Sequence, residues 1–321
     1  MAQTNLNFPS DPELQAVAMA YRWPGGIADL VTPRVPVGAP AFEWWLHDRS
    51  EELTLPDTRI GRKGQLNQVE FSAEKKTDSI IEYGLSSPVP QYDMLPGVRP
   101  SWYNPRARAV TGVMKLVELR REKRAADLYF NAATYPTGNK QTLSGTSQFT
   151  HADSRPVKLL LETMDNMVMR PNTFVFNEPG WTAFRRHPEV TGALVSAANG
   201  NTPLTSSIGA MASEQAVKDL FQIENLFIGK SRINTANKGQ TPALSRLWGN
   251  HLAMYYMDPD AFTPDANTIT FGLTAQFADR IARSFLAEEM GLLGGEHVVA
   301  GEMLKELIIA PDLGYLFSNV V

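Results

Sequence analysis

Apolar residues follow a different spacing rule in each successive stretch of the chain. A short helix is predicted over Pro12–Ala20, and then Pro24, Pro33, Pro36 and Pro40 fix φ and remove backbone donors. That excludes long helices and central strands from residues 24–40. Ile27, Leu30, Val31, Val35 and Val37 sit among the prolines, so this extended segment has to lie on something. It either wraps its own domain or reaches a second subunit as an arm. Over 41–85 the pattern predicts two long strands around a charged tip. Residues 42–47 run out, 51–64 are polar and turn-rich, and Leu66, Val69, Phe71 and Ala73 return, alternating in part with Asn67, Glu70 and Ser72. Ile80, Ile81 and Tyr83 extend the return arm. A two-stranded ribbon is marginal alone in water, so it needs a platform. Asp57, Arg59, Arg62 and Lys63 make the tip too charged to enter its own core.

Asn104 and Pro105 supply a cap and a first-turn residue for a helix running to Asn131, with Val110, Val113, Met114 and Val117 on one face. At about 1.5 Å per residue, its ~28 residues make a rod of about 40 Å. Its second half, 118–127, is densely charged. Lys123 and Asp127 can pair one turn apart, and the run reads as a solvated face. Residues 132–154 read as a polar loop. Asp153 or Ser154 is then expected to open a helix near Pro156 with an apolar stripe of Leu159, Leu160, Thr163, Met164 and Met167. Strands at 173–176, 223–228 and 252–257 and helices at 179–187 and 212–221 predict a compact α/β domain over 153–260. Residues 268–277 and 297–317 alternate like antiparallel strands, joined through 281–295, and are expected to pack beside the rod in a second, α+β domain.

Length and composition narrow the function. With 321 residues the chain has room for about two domains or one large irregular one. It is 43% hydrophobic and carries 30 basic against 34 acidic residues, which fits a soluble globular protein and not one that grips nucleic acid phosphates. There are no cysteines, so disulfides, thiolate nucleophiles and cysteine-based metal sites are excluded. No apolar run approaches the ~20 residues of a membrane span, and no export signal is visible, so the protein is expected to stay where it is made.

Candidate chemistry is sparse. His47, His151, His187, His251 and His297 are scattered without metal-binding spacing, and HExxH, GxSxG, a complete phosphate-binding loop and GxGxxG are missing. Residues 258–265 faintly echo a calcium loop, but Phe262 replaces a ligand and the central glycine is absent. No catalytic residue, cofactor or metal is therefore expected, although a hydrolase built from carboxylates distant in sequence stays open as an alternative. Trp44 and Trp45 read as anchors with one ring on each strand face. Arg185, Arg186 and His187 suit a helix C-terminus.

The order of arm, charged-tip ribbon, rod helix, α/β domain and returning sheet resembles the tailed-bacteriophage major capsid proteins of the Hong-Kong-97-like fold. Local phrases carry the resemblance along nearly the whole chain: Leu-Val-Thr-Pro-Arg-Val-Pro-Val at 30–37, Val-Glu-Phe-Ser-Ala at 69–73, residues 139–149, Arg-Pro-Asn-Thr at 170–173 and Arg-Arg-His-Pro at 185–188. Leu-Trp-Gly at 247–249, Thr-Phe-Gly at 270–272, Thr-Ala-Gln at 274–276, Lys-Glu-Leu-Ile at 305–308 and Ala-Pro-Asp-Leu-Gly-Tyr at 310–315 continue it.

The resemblance implies an α+β chain with an N-terminal arm at 1–40 and an extended two-stranded loop at 41–85. The peripheral domain would comprise 86–152 and 261–321 with a spine helix at 104–131, and the axial α/β domain 153–260. It implies a non-enzymatic shell subunit assembling as pentamers and hexamers around double-stranded DNA, without sequence-specific binding or a membrane. Because the arm begins almost at Met1, a separate scaffolding protein is expected, together with a portal and a possible decoration protein. Assembly in the host bacterial cytoplasm and residence in the virion follow. Candidate inter-subunit contacts are Trp44, Trp45, Asp57, Arg59, Arg62, Lys63, Val69 and Phe71. Lys63 lies where one relative carries a cross-linking lysine, without the surrounding motif. An encapsulin-type nanocompartment shell is the alternative of the same fold.

Overall fold

Asp11 accepts hydrogen bonds from the backbone N–H groups of Glu13 and Leu14, and Pro12 fills the first turn, so α1 (Pro12–Ala20) forms where the pattern places it. The computed structural model describes residues 11–47, 55–60, 64, 68, 73–100, 102–199, 211–237, 239–258 and 269–321. The proline-rich stretch then makes only a four-residue helix, α2 (Ala28–Val31), and a short strand, β1 (Arg34–Pro36). β1 runs parallel to a later strand at the edge of a sheet, the place where proline costs no ladder hydrogen bond. Leu14, Ala18, Ala28 and Val31 are buried. Over 11–36, therefore, the segment lies along its own chain, as the first of the two readings expects.

The ribbon consists of β2 (Ala41–His47) and β3 (Ala73–Ser79), followed by β4 (Ile81–Pro90) and a single turn, α3 (Gln91–Met94). The rod is α4 (Pro105–Tyr129), capped by Asn104, whose side chain accepts from the Ala107 N–H. Next come β5 (Lys140–Thr142), α5 (Pro156–Asn166), β6 (Thr173–Asn177), α6 (Glu178–Arg186), α7 (Pro188–Asn199) and α8 (Glu214–Phe221). Strands β7 (Asn225–Gly229), β8 (Arg232–Asn234), β9 (Leu244–Arg246), β10 (His251–Tyr255), β11 (Gly272–Gln276), β12 (Ile281–Ala287), β13 (Gly295–Ile308) and β14 (Gly314–Ser318) complete the order.

Two five-stranded sheets organise these elements. In the first, the long β13 carries β4 along one edge and β12 and β11 along the other. Val110, Val113, Met114 and Val117 of α4 pack with Val298 and Ala300 of this sheet and with Leu14 and Ala18 of α1. The second sheet runs β5-β14-β10-β6-β7. On it lies an apolar core that includes Leu160, Phe174, Phe176, Phe184, Phe221 and Phe317. A third cluster holds residues from both sheets and the end of α4: the Phe271 ring lies 5.3 Å from Tyr129, 5.4 Å from Tyr135 and 5.1 Å from Tyr255.

Several expectations are corrected. Glu118, Arg121 and Glu122 of α4 are buried, so the charged half of the rod is not simply a solvated face. Residues 132–154 bury Tyr135, Leu143 and Phe149 and contribute β5. The joining stretch 281–295 contains a full strand, β12, and 188–199 form a helix the pattern did not single out. The final strand leaves the rod's sheet altogether: β14 pairs with β10 and β5 in the second one. Neither Asp153 nor Ser154 caps α5; the Val157 N–H instead donates to Glu189 Oε2 at 2.8 Å, from the start of α7.

Gly229 ends β7 beneath the fully buried Trp248, and a Cβ there would stand 2.2 Å from the indole. Gly229→Ala should therefore destabilise the free subunit by about 1–3 kcal/mol through overpacking. A melting temperature equal to wild type would contradict this.

Candidate assembly surface and its anchorage

β2 and β3 pair over their full lengths, from Ala41 with Ser79 to His47 with Ala73, and among the described residues neither joins another strand. At the root, the Ile80 N–H donates to Pro40 O at 2.8 Å, and Lys305 reaches Asp78 at 3.4 Å. Phe42 and Trp44 share a face because strand side chains repeat every two residues. Their rings stack at 5.8 Å, Trp44 is half-buried, and among the described residues its Nε1–H has no acceptor. The backbone of Trp45 pairs opposite Lys75. Beyond the paired strands, Leu55–Ile60 is exposed throughout, with Leu55 96% accessible, and Asp57 accepts from the Arg59 N–H at 2.9 Å. The Trp45 side chain and Arg62, Lys63, Val69 and Phe71 lie outside the described residues, as does the stretch 259–268 of the calcium-like loop. The structure thus places Trp44 and the Trp45 backbone on the paired strands, and Asp57 and Arg59 in an exposed stretch between them in sequence.

A buried ionic junction ties the N-terminal segment to α4, and the sequence reading missed it. Glu122, 1% exposed, accepts from the backbone N–H groups of Ile27 (3.0 Å) and Ala28 (2.8 Å), from Trp248 Nε1 (2.7 Å) and from Ser231 Oγ (3.4 Å). One carboxylate thereby caps α2 and ties the N-terminal segment and α4 to the loop ahead of β10. Glu118 accepts from the Trp23 N–H at 2.7 Å and pairs with Arg280, which also donates to Ala18 O and Tyr21 O. Arg121 pairs with Asp29 and donates to Thr32 O and Thr274 Oγ1, both at 3.3 Å. Arg34 links Asp29 at 2.6 Å to Glu302 at 3.0 Å, and Arg124 holds Glu306 at 2.9 Å.

The two acidic groups at the N-terminal segment titrate in opposite senses. Burial pushes the Glu122 carboxyl up, against the donors from Ile27, Trp248 and Ala28. Burial alone would also raise Asp29, but Arg121 and Arg34 outweigh it and hold that carboxyl down to about 2. A depressed carboxylate contributes stability above its unfolded pKa, near 4 for aspartate, which is lost as pH falls through the folded value; a raised one gains stability on protonation. Asp29's stabilising contribution should therefore be complete above pH ~4 and disappear towards pH ~2. Asp29→Asn should flatten that part of the profile in urea melts at stepped pH; an unchanged slope would contradict the pairing.

Among the described residues no group of histidines and acidic side chains is arranged to hold a metal ion, and no helix is long and apolar enough to cross a membrane. His187 is buried against Ser154 Oγ and His151 O, a packing role. Arg185 and Arg186 close the last turn of α6.

A ribbon paired with no other strand among the described residues, a rod packed across one sheet and a second sheet joined to it through a common cluster make up a fold of the Hong-Kong-97-like class. No protein-family model matches the chain. It is 42% identical over 318 residues to the major capsid protein of Pseudomonas phage JBD67, covering 99% of both. Among solved structures it is similar to a phage-related protein of Bordetella bronchiseptica RB50 (TM-score 0.69, 20% identity, 97% of each chain). It is also similar to the capsid of cyanophage P-SCSP1u (TM-score 0.55, 11% identity, 90% of this chain and 86% of that one). The chain belongs to the major capsid proteins of bacteriophages. It is a structural protein of the virion shell, built from copies of itself, and not an enzyme. Full-length identity to a phage capsid protein favours this reading over the nanocompartment alternative.

Proposed function

We propose that the ribbon acts as a clamp between neighbouring copies in an icosahedral head of pentamers and hexamers. The observation that carries this is that β2 and β3 pair with each other and, among the described residues, with no other strand, although such a ribbon is marginal in isolation. In this reading 41–85 is the extended loop, and 86–152 with 261–321 the peripheral domain around the spine helix. Residues 153–260 are the axial domain, with 140–142 and 314–318 lending it strands. Residues 1–40 form the N-terminal segment, fastened along its own spine helix over 11–36. The head encloses double-stranded DNA without reading its sequence, and the net charge of −4 suits a container from which DNA must leave, since a basic lining would hold it through released counterions. A separate scaffolding protein and a portal complete the assembly in the bacterial cytoplasm, with room for a decoration protein.

Amide exchange tests the clamp. Amides of 41–47 and 73–79 should exchange quickly in dissociated subunits and be protected in particles. Equal protection in both states would mean that the ribbon is supported by its own subunit.

A further inference from the structure

At one end of the first sheet three strands stop together. Pro90 of β4 and Ala287 of β12 both pair with Gly295 at the start of β13. The turn 288–294 and the segment that follows β4 consequently stand side by side, and the Gln91 N–H donates to Gly294 O at 3.0 Å. The turn has a set shape, with Gly291 and Gly294 at φ of +64° and +70°, a region that favours glycine.

On this end the usual burial rule is inverted. Leu292 is 101% exposed, Leu286 83% and Leu293 56%, and on the neighbouring segment Trp102 is 82% and Tyr92 60% exposed. Large apolar side chains gathered at one sheet end do nothing for the subunit's own core and mark a surface that is covered in use. The charges at its two edges differ in sign. Glu288 and Glu289 are exposed on the turn, whereas exposed Arg99 and Arg108 stand over the Tyr103 ring at 5.6 and 5.4 Å, beside Trp102. Arg99 also holds Asp93 at 3.0 Å, and Glu289 lies 3.4 Å from His297. A patch acidic on one edge and basic on the other is complementary to itself when copies meet head to tail, the arrangement that closes into rings.

We propose that this sheet end is a head-to-tail contact with a second copy of the chain. The leucine turn of one copy covers the Tyr92 and Trp102 edge of the next, and Glu288 and Glu289 face Arg99 and Arg108. The contact rests on the shell reading but is independent of the ribbon.

The absence of cysteine permits a direct test. Particles containing both Leu292→Cys and Trp102→Cys chains, tagged to differ in mass, are oxidised and run on denaturing gels. Covalent dimers of one chain of each kind should exceed, by at least about tenfold, those from particles pairing Leu292→Cys with Val168→Cys, an exposed position elsewhere; a tenfold ratio corresponds to ~1.4 kcal/mol of preference. Leu292→Glu, at a side chain with no cover in the subunit, should leave the free-subunit melt unchanged and lower the yield of particles. Dimers no more frequent than in the Val168 control, or undiminished Leu292→Glu particles, would overturn the contact alone. A wild-type chain that forms no particles would overturn the shell reading and this contact with it.

Discussion

Truncation of Glu122 to alanine will destabilise the free subunit by about 3–5 kcal/mol, the scale expected when one partner leaves a buried charge-assisted network. The carboxylate is the shared acceptor of two backbone N–H groups at the start of α2, the Trp248 indole and the Ser231 hydroxyl. Ser231 keeps a second acceptor in Gly25 O at 2.8 Å, so its loss is the least costly. The Ile27 and Ala28 amides and the indole are left unpaired, and each buried orphan donor costs about 1–3 kcal/mol. Glu122→Gln preserves the shape and one carbonyl acceptor, so it should retain part of the stability. Urea denaturation of the three proteins distinguishes the cases. A loss under about 1 kcal/mol for Glu122→Ala is the scale of an exposed ion pair and would contradict the junction as described.

Deletion of residues 59–64 will have the largest effect on assembly and almost none on folding. The described part of this tip is exposed and stands beyond the paired strands, and the three core clusters draw on no residue of it. The truncated chain should melt with wild-type subunits while closed shells disappear, as measured by sedimentation. Normal shells from the deletion would remove the clamp from the account. A subunit that unfolds would show that the tip supports its own body.

The elements governed by short-range rules were legible in the sequence. Asp11 with Pro12 and Asn104 with Pro105 mark the starts of α1 and α4, and the apolar steps from Val110 to Val117 set the buried face of the rod. The antiparallel ribbon followed from the pattern at its base, where β2 and β3 pair. What local rules could not reveal depended on distant partners. Glu118 and Glu122 look like members of a solvated charge run because the groups that satisfy them, the Trp23, Ile27 and Ala28 amides, lie 94 or 95 residues away in sequence. β12 was hidden for another reason: it buries the small Ala282 and Ala287 and exposes Phe285 and Leu286, the reverse of the pattern that reveals a strand. β14 alternates as expected, but alternation does not say which sheet a strand joins. Trp44 and the Asp57 and Arg59 tip were singled out from sequence as contact candidates, whereas the exposed leucine turn was passed over as a connection.

Electron microscopy of particles formed by this chain tests the central claim most directly. The account predicts hollow shells of uniform diameter in which density for residues 41–79 crosses onto an adjacent copy. A solitary subunit at every concentration, or a shell in which each ribbon folds back on the body that bears it, would contradict it.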